Sequence, residues 1–311
     1  MLYGAVAASL PDIDFIASFW LKTPDDLMAH RGITHSFCFA IVLIAGLALL
    51  FRHRHQRLEI PLKIWLIFMG TEVLSHLFLD GFNAYGVGWL EPFSHHRFAF
   101  NTLFVADPFF SFGPGVAAFI LLFPGPLRLT RRAWAGWGLF LCGFYLGYSV
   151  YNKYNIDNKV RFALSNQQIR YNQYFTTPTP LNTWLWLVVV AVDSGYYTGY
   201  RSVFDRTDSI GFTYVPRNEG LLQPFVNQED TRQLLRFAQG YYSVGQSGHG
   251  LVFNVLRFGQ MQGWRNPAAP FVFHYYLQDP DANRLVLQRG RFAGWNVESA
   301  KWFLLRIRGR E

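Results

Sequence analysis

The chain has 311 residues, of which 51% are hydrophobic, 18% aromatic and only 15% charged, with a formal net charge of +8. That balance leans toward a membrane protein with basic loops. No Lys/Arg block or nucleic-acid motif accompanies the positive charge, so no nucleic-acid partner is expected. Two cysteines, Cys38 and Cys142, both inside apolar runs, exclude a disulfide framework and a CxxC metal site.

In chain order, residues 1–10 are apolar but too short to cross ~30 Å of hydrocarbon, and they lack the basic start and cleavage site of a signal peptide. They read as the end of a helix whose first half is missing. LPDID follows, with Asp12 and Asp14 alternating around one residue. The pair reads either as solvated acids at a helix stop or as hard oxygen ligands. HRGITHS, from His30 to Ser36, puts two imidazoles, a guanidinium and two hydroxyls directly ahead of an uncharged run. Imidazole is the commonest protein ligand for a transition metal, and such a cluster at a membrane border is costly unless used.

Residues 37–51, 62–79, 108–123 and 134–150 are the further apolar runs, each near the lower limit for spanning a bilayer. The loop holding Arg52, Arg54, Arg57 and Lys63 and the loop holding Arg128, Arg131 and Arg132 are cytoplasmic by the positive-inside rule. Asp12, Asp14, His30 and His35 then precede a helix running inward, His76 and Asp80 end one running outward, and Asp107 opens the next. All of them collect at the outer border, and residues 151–311 lie outside.

Glu72, His76 and Asp80 are spaced by four and share one helix face. His76 and Asp80 can close on one ion, or the Asp can orient the imidazole. Glu72 reads as a functional acid or as a hydrogen-bonded structural one. Asp107 before Pro108 reads as an N-cap that can also face the site. Arg31 and Arg97 are candidate anion clamps, since guanidinium matches phosphate bidentately. Ser36, Asn83 and Ser94 are candidates to support the ligands. His95 and His96, adjacent in a loop, read as surface groups.

LPDID, HRGITHS, HLFLD at 76–80, NAYG, PFS with Arg97 and the Asp107–Pro108 pair occur in this order. Together they resemble the YdjM-like family, described as LexA-regulated and inner-membrane-associated, with members regarded as candidate metal-dependent hydrolases. The motifs cover residues 4–108, and PTPLNTWLW and LRFG extend the resemblance across most of the chain. A more distant similarity is to zinc phospholipase C and related zinc nucleases. The resemblance implies metal binding by Asp12, Asp14, His30, His35, His76, Asp80 and Asp107. Family members usually carry a further motif about twenty residues before LPDID, and this chain starts too late to include it.

The second half reads as a polar helix from 151 to about 173, a Thr/Pro turn at 176–180, and strands at 183–192, 196–204 and 212–215. A helix at 228–239, strands at 251–258, 271–277 and 285–292, and a helix at 295–306 complete it. The expected fold is a mostly α membrane helical bundle (1–150) followed by a small, largely antiparallel α+β soluble domain (151–311).

The leading functional expectation is a metal-dependent hydrolase of the bacterial inner membrane acting on a phosphoester or lipid-linked substrate. Zinc is the expected ion, with manganese or iron as alternatives. Arg31 and Arg97 would hold the anion and Asp14 would take the proton. The competing expectation is a metal-binding transporter or sensor, which would carry polar residues through the full membrane depth. A plain membrane anchor ranks last, because it leaves the ionisable cluster unexplained. Oligomeric state is not legible.

Overall fold

The computed structural model describes residues 2–123, 128–279, 282–283 and 295–310. The expected strand at 285–292 lies outside them. Two compact units emerge, one comprising Met1–Phe100 with Asn227–Phe237 and the other Asn101–Val226 with Ala238–Glu311.

In the first unit, α1 (Leu2–Ser9) runs into a ten-residue 3-10 helix, Leu10–Phe19. Pro11 explains the change of hydrogen bonding, because it has no N–H to donate back along an α-helix and its ring crowds the preceding turn. After α2 (Thr23–Ala29) and the short 3-10 turn Ile33–His35 come α3 (Phe37–Arg54) and α4 (Leu62–Asp80). Ser36 caps α3 by accepting a 3.1 Å bond from the Phe39 amide, satisfying a donor that the helix start leaves free. Ala7, Ala48, Trp65 and Met69 form the buried contact among α1, α3 and α4. Among the described residues, Leu2–Phe19, Phe37–Arg54 and Leu62–Asp80 are long and apolar enough to cross a membrane. α5 (Pro108–Leu122) is apolar but shorter, at 15 residues.

In the second unit, α5 packs against α6, a single 39-residue helix from Arg128 to Asn166. Small residues permit the approach: a Cβ on Gly138 would stand 2.7 Å from the Ala117 Cβ. The boundary expected at residue 150 therefore falls inside a continuous helix. The composition shifts from apolar to polar there, and no Pro interrupts the backbone.

Strands β1 (Gln173–Pro178), β2 (Leu185–Val192), β3 (Gly195–Ser202) and β4 (Phe212–Pro216) form one antiparallel sheet in that order. β5 (Tyr242–Ser247), β6 (Gly250–Gln260) and β7 (Phe271–Tyr276) form a second. β2 is buried on both faces. Trp186, Val188 and Val190 meet Ile156, Val160 and Leu164 of α6, while Leu187, Val189 and Ala191 cluster with Tyr241, Leu256 and Phe271. Two expectations need correction. The segment read as a Thr/Pro turn is β1, where Thr176 pairs with Val188 and Pro178 ends the strand, a place where a missing N–H is tolerated. β5 was not anticipated, since Gly245, Gln246 and Ser247 dilute its pattern. Helices α7 (Glu229–Ala238) and α8 (Val297–Ile307) fall where expected. The Phe237 ring of α7 lies 6.4 Å from that of Tyr85, within the first unit.

Candidate metal centre

The 3-10 helix sorts the two acids of LPDID. At three residues per turn, positions two apart point about 120° away from each other around the axis. Asp12 and Asp14 accordingly reach opposite nitrogens of one buried ring: Asp12 Oδ1 lies 3.4 Å from His35 Nε2, and Asp14 Oδ2 lies 3.5 Å from His35 Nδ1. The last turn of α4 completes the group from the other side. His76 Nε2 is 3.2 Å from His35 Nε2 and 3.5 Å from both Asp12 Oδ1 and Asp80 Oδ2. Asp80 Oδ2 is 3.2 Å from His35 Nε2.

Asp12, His35, His76 and Asp80 thus offer one ligand atom each, all within 4.8 Å of one another. Bonds of about 2.0–2.2 Å at tetrahedral angles place neighbouring donor atoms about 3.3–3.6 Å apart. Five of the six pairs come close to that separation. Asp80 Oδ2 is buried and receives no hydrogen bond, a cost that a cation would remove. The C-terminal end of α4, with its carbonyl ends, also favours positive charge. The donor set fits a divalent transition ion.

The residues around the four ligands orient them. Asp14 Oδ2 accepts a 2.6 Å bond from the Arg31 amide, and the Thr34 hydroxyl stands 3.0 Å from His35 Nδ1. A proton held on Nδ1 leaves the Nε2 lone pair facing the other ligands. Burial works against charge on His35, but Asp12 and Asp80 outweigh it and hold its pKa above the usual histidine value. Arg31 sits at φ 57°, and its Nη2 lies 3.1 Å from Asp80 Oδ1. One oxygen of Asp80 therefore binds the guanidinium and the other joins the cluster.

The remaining expected site residues have other contacts. His30 is outside the four-ligand group, half-exposed, with Nδ1 3.4 Å from Asp14 Oδ1. Asp14 lies behind His35 rather than among the four ligands. Arg97 is buried and donates to the carbonyls of His30 and Met28. Its hydrogen bonds staple the loop, and burial pushes its pKa down to about 10. Arg31 is likewise held by protein groups, so the two anion clamps read from the sequence are taken up with structural partners. Asn83 donates to the Asp80 carbonyl at 2.8 Å, fixing the end of α4. Ser36 caps α3, and Ser94 accepts from the His96 amide. His95 pairs with Glu91 at 2.9 Å. Glu72 packs beside Gly4 of α1. Asp107 belongs to the second unit, where its Oδ1 caps α5 and its Oδ2 accepts a 2.8 Å bond from Tyr145. Burial there raises the Asp107 pKa against the pull of those bonds. Thr34, counted in the sequence only as one of the two hydroxyls of HRGITHS, was given no role, although its place directly before His35 was the available signal.

The profile of the YdjM inner membrane protein family matches residues 1–156. The chain belongs to that family. Inner membrane protein YbcI of Escherichia coli (strain K12) is 36% identical over 97 residues, covering 30% of this chain and 54% of that protein. The uncharacterized protein YfhP of Bacillus subtilis (strain 168) is 32% identical over 115 residues, covering 35% of this chain and 32% of that protein. The chain thus spans about half or less of the curated relatives it matches. No solved structure matches it. The YdjM family match takes in all four clustered residues, which lie at or beside helices of membrane-spanning length.

Proposed function

We propose that the protein is a metal-dependent hydrolase of the bacterial inner membrane acting on a phosphoester of a lipid or lipid-linked molecule. The observation that carries this reading is the convergence of Asp12, His35, His76 and Asp80 on one point. A divalent cation, zinc by the mixed N/O donor set, supplies Lewis acidity and a reactive water at neutral pH. His35 and His76 would hold that cation through Nε2, with Asp14 and Thr34 lying against Nδ1 of His35 and orienting its ring. Arg31 keeps Asp80 turned toward the cluster. Asp12 is the open member, its side chain 52% exposed against 0% for His35, so substrate approaches from its side. His30, half-exposed, meets the buried Asp14 through Nδ1 at 3.4 Å on the side away from the four ligands.

The basic residues between 52 and 63, at and between the ends of α3 and α4, and those at 128–132, at the start of α6, support placing the centre and the C-terminal domain on the extracytoplasmic side. A transporter or sensor is the weaker reading, because the ligands occupy only the last turn of α4 and Glu72 is the only ionisable group deeper in that helix before Lys63.

The test is zinc content and turnover on full-length protein in lipid nanodiscs, with bis(p-nitrophenyl) phosphate and phospholipids as substrates. Stoichiometric zinc with zinc-dependent release of product, both lost in His76→Ala, is the expected result. Zinc bound without cleavage of any phosphoester would defeat the hydrolase reading and favour the sensor.

A further inference from the structure

We infer that the outward face of α1 and the following 3-10 helix is a groove for one acyl chain of a phospholipid, whose headgroup reaches the metal centre at Asp12. The inference rests on the metal-centre reading above. A shallow, largely open depression of about 510 Å³ lies along this face, lined by Ala5, Val6, Leu10, Ile13 and Phe15, with Asp12 at its polar end. Ser9 also lines it, but its hydroxyl already donates to the Ala5 carbonyl at 2.9 Å, so it makes no demand on an apolar occupant. Asp12 is the one charged group among the lining residues.

The opposite face of α1 is committed. Gly4 and Ala7 are buried against α4, with Phe68 and Glu72 beside Gly4 and Met69 in the same cluster as Ala7. Ala5, Val6 and Ile13 are consequently turned outward on a segment apolar enough to lie in a membrane. From Ala5 to Asp12 the axis advances about 12 Å by the rises of the two helix types, against ~15 Å for the hydrocarbon of one leaflet. Phe15, Phe19 and Trp20, all exposed, follow at the polar end, where aromatic side chains mark the membrane–water boundary. The open ligand of the centre therefore stands where the acyl region meets the membrane–water boundary.

Charge sets the condition for occupancy. Asp12 repels a phosphate until a cation neutralises it, so the chain is retained in the groove only when the centre is loaded. Ordinary lipid covering a membrane helix has no such dependence.

The experiment uses the full chain in nanodiscs of phosphatidylethanolamine and phosphatidylglycerol containing a phosphatidylglycerol with a diazirine in one acyl chain. After illumination, adducts are mapped by mass spectrometry, with zinc and after chelation. The expected result is labelling of residues 2–21 several-fold above that of α3 and α4, falling several-fold on chelation and in Val6→Trp or Ala5→Phe, with zinc content unchanged in those variants. Equal labelling of all three spans, or labelling indifferent to zinc in the wild-type protein, would overturn the groove. Cleavage of bis(p-nitrophenyl) phosphate by the same samples reports separately on the hydrolase reading. Its absence beside selective, zinc-dependent labelling would count against that reading alone.

Discussion

The Nε2 atoms of His35 and His76 stand 3.2 Å apart although the two residues are separated by 41 positions in the chain. Two imidazoles facing each other through their nitrogens, with carboxylate oxygens of Asp12 and Asp80 on either side, share a target. This arrangement separates ligands from neighbours within a cluster that is uniform in composition. His35→Ala and His76→Ala should each lower zinc affinity more than 100-fold, since each removes a donor outright, while His30→Ala retains a stoichiometric ion. Elemental analysis of purified protein, beside a circular dichroism check of folding, distinguishes them. Loss of zinc in His30→Ala would restore that residue to the ligand set.

Protons compete with the ion at His35. Its folded-state pKa is raised, burial opposing the shift and the Asp12 and Asp80 carboxylates prevailing. In the metal-free protein this interaction stabilises the fold fully below the unfolded histidine value of about 6.5 and fades as pH rises through the elevated folded value. Zinc displaces the same proton, so affinity should climb with pH over that window. Calorimetric titration in two buffers of different ionisation enthalpy should show proton release on binding that is largest at low pH and declines as pH rises through the elevated folded value. An affinity that is flat across this range would sink the assignment.

Arg31 and Asp14 touch ligands without belonging to the four. Arg31→Met and Asp14→Asn should weaken zinc binding about 10–100-fold, the usual cost of losing an outer partner. Arg31→Lys should recover only part of the loss, because a point charge does not reproduce the guanidinium geometry. Competition with a fluorescent chelator measures both. Unchanged affinity in Asp14→Asn would show that Thr34 alone orients His35.

Two glycines should answer differently to alanine. At Gly138 the new methyl would meet the Ala117 Cβ at 2.7 Å, and at Gly4 it would meet Glu72 Oε1 at 2.8 Å. A Cβ on a packed helix cannot move aside, so Gly138→Ala should cost about 1–3 kcal/mol through overpacking. The end of a glutamate side chain can swing away, so Gly4→Ala should cost less than about 1 kcal/mol. Thermal unfolding in detergent orders the two. Equal effects would mean that Glu72 is held in place.

Much of the centre was legible because helix periodicity is a strong signal. The four-residue step from His76 to Asp80 fixed a shared face, and the apolar runs fixed α3 and α4. The division of labour between Asp12 and Asp14 was not legible, because it depends on the helix type that follows Pro11. Arg31 and Arg97 were read as free cations because a sequence does not reveal which carbonyls or carboxylates reach a guanidinium. Asp107 carried ligand chemistry, and the N-cap reading describes its observed contacts. In the C-terminal domain, β2 announced itself by a continuous Leu/Trp/Val run, whereas β1 and β5, each paired with the strand that directly follows it, carry Thr, Pro, Gly and Gln in place of such a run.

Helix α6 packs on α5 near Gly138 and on β2 through Ile156, Val160 and Leu164. At 39 residues it is about 58 Å long. Such a rod contains no joint between its apolar and polar lengths. A tilt imposed at one end is carried as leverage to the other, so the sheet β1–β4 turns with the apolar helix pair instead of swinging from it on a tether.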